Sequence, residues 1–142
     1  MRIKGIRIML LLLLLFSMAV PVQSTSAASK NIKVKVTLVS AKLTDNNHVG
    51  NEWYTKASIN DKEIQEGSSV VLDLKSTESV QLKAYAEEQD KIPDSATATA
   101  SIKASAITKT ISKAIKVTVV ENRGRYSGNT ATWTFTFTVQ KQ

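Results

Sequence analysis

The stretch Ala131-Thr132-Trp133-Thr134-Phe135-Thr136-Phe137-Thr138-Val139 decides the fold. Alanine, aromatic and valine side chains take every second position, and four threonines fill the positions between. A period of two with β-branched and aromatic residues is the pattern of a strand with one buried and one outward face. Working outward, the same alternation recurs upstream. Ile32, Val34, Val36 and Leu38 form one inward row, and Trp53, Thr55, Ala57 and Ile59 form another, closed by the turn residues Asn60-Asp61. A short piece around Ile64 precedes Gly67, after which Val70, Leu72 and Leu74 alternate with Val71, Asp73 and Lys75. Val80, Leu82, Ala84 and Ala86, then the alanines of Ala96 to Ser105 with Ile102, then Ile115, Val117 and Val119, complete the set.

About eight short strands with no long segment of helical period predict an all-β fold, an antiparallel β-sandwich. Residues 102–115 are ambiguous: isoleucines at 102, 107, 111 and 115 fit a strand, a crossing loop or a helical turn. The threonine alternation over 130 to 138 would make a pairing edge for another chain if it were left uncovered.

The first 28 residues differ from the rest. Arg2, Lys4 and Arg7 precede an apolar run from Ile8 through Phe16 to Val20, then Pro21, then the small residues Ser24 to Ala28. This is the layout of a secretory signal peptide. The run is about 13 residues, shorter than the about 20 needed to span a bilayer. The expected organisation is therefore a signal peptide at 1–28, removed on export, and one sandwich domain at 29–142. The expected location is secreted and extracellular, with no transmembrane segment in the mature chain and a bacterial cast to the export signal.

The whole chain has 19 Lys and Arg against 12 Asp and Glu, a formal charge of +7. Cleavage after Ala28 removes three basic residues and no acid, which lowers the charge to +4 on about 114 residues. That mild bias suits an anionic surface partner, peripheral membrane contact included, without pointing to one. Scattered lysines with no arginine-rich, aromatic-interleaved stripe argue against nucleic acid. The absence of cysteine excludes thiolate metal clusters, disulfides and thiol catalysis, and the single His48 excludes multi-histidine sites. No Gly-x-Ser-x-Gly elbow or phosphate-cradling glycine loop is present, so no enzyme is expected.

Candidate chemistry falls in the loops. Thr44 to Glu52 and Glu87 to Asp94 are rich in carboxylate and amide oxygens, the ligands calcium takes. The order of residues adds a resemblance. Val36 to Leu43, then Asp45, then Gly50-Asn51-Glu52-Trp53-Tyr54-Thr55-Lys56 resembles the first strand and calcium loop of C2 domains. Leu82 to Ala86 followed by Glu88-x-Asp90 and Asp94 resembles the strand and acidic loop that supplies most of that family's ligands. The resemblance spans about residues 32–95 and implies a C2-like sandwich, the other architecture in view being immunoglobulin-like. Carried over residue by residue, it implies calcium at Asp45, Glu52, Glu88, Asp90 and Asp94. The departures are Trp53 in place of proline, Glu in place of Asp at 52 and 88, and a longer first loop.

A third loop, Glu121 to Asn129, holds Arg123, Arg125 and Tyr126. Two guanidinium groups can grip a phosphate or carboxylate; the competing reading is a long hairpin with Tyr126 folded back as a packing plug. Two functions are expected from these features. One is a secreted, non-catalytic binding module that loads calcium between its acidic loops. The other is a metal-independent extracellular interaction protein, such as an immunity factor, inhibitor or surface-structural component.

Overall fold

A computed structural model describes residues 30–142; the signal peptide expected at 1–28 lies outside them. The described residues form eight strands, β1 (Asn31–Asn46), β2 (Trp53–Ile59), β3 (Lys62–Ile64), β4 (Ser69–Lys75), β5 (Ser79–Glu88), β6 (Asp94–Lys103), β7 (Ile111–Val120) and β8 (Thr130–Lys141). They make two four-stranded antiparallel sheets of order β4-β1-β8-β7 and β3-β2-β5-β6. This is the β-sandwich that the alternation predicts. None of the described helices is long and apolar enough to cross a membrane.

The inward rows are the ones read from the sequence. Val34, Val36 and Leu38 of β1, Val80, Leu82, Ala84 and Ala86 of β5, Ile115, Val117 and Val119 of β7, and Phe135, Phe137 and Val139 of β8 lie in one core cluster. Alanines carry much of the second sheet's inner face, while the first sheet contributes Phe135 and Phe137; small against large is how facing layers fill space without voids.

β8 is not an edge. β1 covers it from Val34–Lys141 to Asn46–Ala131 and β7 covers its other side from Ile111–Val139 to Val120–Thr130. The threonine row instead lies mid-sheet, where Thr134 meets Thr44 and Thr132 meets Thr118 through their hydroxyls at 2.9 and 3.1 Å. The ambiguous span 102–115 resolves into the end of β6, a 3-10 turn at Ala104–Ala106 and the start of β7 at Ile111. Ala104 and Ile107 are buried there, so the isoleucine spacing reflects a crossing that stays packed against the core.

Turn chemistry fixes the ends. Asn60 and Asp61 both have positive φ, 46° and 64°, as a two-residue hairpin between twisted strands requires. Asn60 N donates to Gln81 O and Asn60 Oδ1 accepts from Gln81 N, which ties this hairpin to β5.

Candidate functional site

The β1–β2, β5–β6 and β7–β8 connections meet at one end of the sandwich. The backbone shows it: Gln89 N donates to Glu52 O at 2.7 Å, and Asn47 N donates to Thr130 O at 2.9 Å. Arg123 Nη1 reaches Ile92 O at 3.0 Å.

The first loop is built around Asn46. Its Oδ1 accepts from Val49 N and its Nδ2 donates to Gly50 O, both at 2.9 Å, so one amide closes the turn from both sides. Val49 is driven fully into the interior, and His48 and Gly50 take positive φ of 58° and 54° to allow it. Gly50 lies against Glu88, and a methyl group on it would collide with the Glu88 carboxylate.

The second connection is shorter than its composition suggests. β5 runs through Glu88 and β6 begins at Asp94, and these two are direct cross-strand partners, leaving only residues 89–93 as loop. Both side chains are buried. Asp94 is held by Asn122: Oδ1 accepts from Asn122 Nδ2 at 2.7 Å and Oδ2 from Asn122 N at 3.1 Å. Those bonds, helped by the Arg123 charge, keep the Asp94 carboxyl below its ordinary pKa despite burial. Glu88 is pushed the other way, chiefly by burial and then by the charges of Asp90, Glu121 and Asp94, with an opposing bond from Asp90 N to Oε2 at 3.2 Å.

Asp45, expected in a loop, extends β1 and pairs with Thr132 on the outer side of the first sheet. Glu52 is exposed just before β2 and joins the tip through its carbonyl rather than its carboxylate. Asp90 Oδ1 accepts from Ile92 N at 2.7 Å, closing a tight turn. The structure thus brings together Glu88, Asp90 and Asp94 from the expected set and adds Glu121, while Asp45 stands on another surface. Among the described residues no group of three or more Asp, Glu or His side chains is arranged to hold a metal ion. Of the five residues inferred from the resemblance, Asp94 accepts two hydrogen bonds from Asn122 and Asp45 lies in β1 opposite Thr132, apart from the Glu88–Asp90–Asp94 group.

The third loop is a wide hairpin. Glu121 N donates to Asn129 O and Gly128 N to Glu121 O, and a 3-10 turn spans Gly124–Tyr126. Gly124 and Gly128 have positive φ, 69° and 91°, as the hairpin reading expects. Tyr126 is not a packing plug: it is 43% exposed. Its ring stacks on His48 at 5.3 Å, and the Arg125 guanidinium lies over it at 5.7 Å. Both arginines are exposed, but Arg123 is tied to Ile92 O, which leaves Arg125 as the guanidinium beside the rings. Sequence reasoning missed Asn46, Val49, Glu121 and Asn122. An Asn just before a positive-φ pair is a legible turn signal for the first, whereas the others depend on pairing between distant loops.

No family model matches the chain, and no curated protein matches it.

Proposed function

We propose that this chain is an exported, non-catalytic binding module whose contact surface is the three-loop end, with His48, Arg125 and Tyr126 as its anchor. The observation that carries this reading is the exposed Tyr126 ring held between His48 and Arg125 on loops already fastened to one another. Tyrosine and arginine on a preorganised surface lose little freedom when a partner is bound. Their chemistry suits an extracellular protein or an anionic surface group that a guanidinium can grip. In this reading the internal bonds of Asp94, Asp90 and Asn46 order the loops without calling on an ion.

The test is photocrosslinking from a benzophenone side chain placed at Ser127, with one at Lys109 in the β6–β7 connection as control. Adducts formed on the producing cells from position 127, absent from 109 and lost in Arg125→Ala/Tyr126→Ala, support the reading. Equal adducts from both positions overturn it.

A second reading, a C2-like module holding calcium at the same end, is favoured by the buried Glu88 with Asp90, Asp94 and Glu121 close enough to raise its proton affinity. A cation would relieve that repulsion. Calorimetric titration with calcium decides it: heat and a higher melting temperature that vanish in Asp90→Asn support calcium, and neither effect leaves the metal-free reading.

A further inference from the structure

β1 is longer than the strand beside it. β8 accompanies it to Asn46, but β4 pairs only with Asn31 to Thr37. Beyond that, the β3–β4 loop gives brief cover: Leu38 N donates to Ser68 O, Gly67 N to Leu38 O, and Ala41 N to Glu66 Oε2. From Lys42 to Asn46 none of the described strands lies on this side, and all five residues are exposed. Leu43 is 36% exposed there, and Val39 46%. Behind this edge β3 covers β2 only at Ala57 to Ile59, and a cavity of about 430 Å³ lined by Ala41, Tyr54, Glu66 and Trp133 opens between the sheets. A strand edge with unpaired backbone beside apolar side chains is a template for another strand.

The edge is complementary to itself. Pairing with β8 skips Thr44, so this one extra residue resets the alternation of faces: Ala41 and Asn46 lie opposite the inward Phe135 and Ala131, whereas Lys42 and Asp45 lie opposite the outward Thr134 and Thr132. If two copies of the edge run antiparallel about an axis between Leu43 and Thr44, Lys42 of each meets Asp45 of the other, and Ala41 meets Asn46. Both of those pairs join like face to like face; only at the axis do unlike faces meet, the inward Leu43 of each copy beside the outward Thr44 of the other. A shift by one residue in either direction sets Ala41 or Leu43 against Asp45, an inward side chain against an outward charge.

We propose that the Lys42–Asn46 edge of β1 pairs with the same edge of a second copy of this chain, so that one sheet runs through both molecules. Glu66, exposed and now bonded to Ala41 N, swings away as the carbonyl of the second copy's Asn46 takes its place. The symmetric register forms the Lys42–Asp45 pair twice, and cross-strand pairs of opposite charge are favourable where like charges repel.

Sedimentation equilibrium of the purified protein tests this. The expected result is a monomer–dimer equilibrium weakened about ten-fold or more by Lys42→Asp and likewise by Asp45→Lys, each of which sets like charges opposite one another twice. The double variant Lys42→Asp/Asp45→Lys restores the contacts with their signs exchanged and returns the dimer constant to within about three-fold of the original. These substitutions sit at exposed positions, and circular dichroism confirms that each variant keeps its sheets. A chain that stays monomeric at millimolar concentration, or a double variant no better than the singles, overturns the proposal. So does stronger association of Lys42→Ser, because Lys42 is then a blocker of the edge rather than half of a pair.

Discussion

Asn46, Gly50 and Asn122 show how single residues fix a loop cluster. Gly50 has a left-handed backbone and no room for a side chain against Glu88. Gly50→Ala is expected to cost at least about 1 to 2 kcal/mol, from the positive φ alone, and to disturb the packing of Val49 beneath it. Urea denaturation measures it, and an unchanged midpoint would show that the turn relaxes freely. Asn122 supplies both donors to a buried carboxylate. Asn122→Ala removes the side-chain donor and is expected to destabilise by about 1.5 to 3 kcal/mol, the range for a hydrogen bond to a charged group. If the tie also orders the tip, hydrogen exchange should quicken in 121–129 and at Ile92 while the centres of β5 and β8 stay protected. Uniform quickening would assign the loss to global stability instead.

At the scale of the element, the inward rows were legible because each strand carries its own period-two signal, and β8 carries the strongest. Residue type also marked the Asn60-Asp61 hairpin, whose positive φ values leave room for improvement. Asp61→Gly is expected to raise stability by about 0.5 kcal/mol, since glycine meets φ of 64° without the crowding a side chain brings; a lower melting temperature would mean that Asp61 makes contacts outweighing that relief. What the sequence did not disclose was where strands stop. Thr44-Asp45-Asn46 has the composition of a loop, yet β8 lies alongside and supplies ladder partners, so β1 continues. Glu87-Glu88 and Asp94 likewise read as loop, but the β5–β6 hairpin draws them into its final pairs. The acidic site shrank for that reason: three of its five expected members, Asp45, Glu88 and Asp94, became strand residues, and Glu121 entered from the distant β7–β8 connection. Neighbouring chain decides such boundaries, and a period-two pattern carries no information about which chain will be the neighbour.

For the whole molecule, two buried carboxylates of opposite tendency set the acid side of its stability. Asp94 has a folded pKa below its ordinary 3.8, held there first by the Asn122 side chain, so its contribution is present above 3.8 and is lost as pH falls through the folded value. Glu88 has a folded pKa above its ordinary 4.5, raised first by burial, so the folded state prefers the protonated acid. Its contribution is full below 4.5 and disappears as pH rises through the folded value. Acidifying from neutrality therefore first stabilises the fold, as Glu88 takes up its proton, and then destabilises it once Asp94 is forced to do the same. Thermal melts from pH 7 downward should peak near the two ordinary values, between 3.8 and 4.5, as far as these groups govern the curve. Glu88→Gln should flatten the rise between neutrality and the peak, and Asp94→Asn should flatten the fall below it. The two changes should be separable by pH although the residues are cross-strand partners, because each titrates in its own window. A melting temperature that only declines from pH 7, with Glu88→Gln following the same line, would mean that Glu88 stays ionised under Gly50. Its charge must then be met at the loop end by something other than a proton, and the calcium titration would become the next measurement to make.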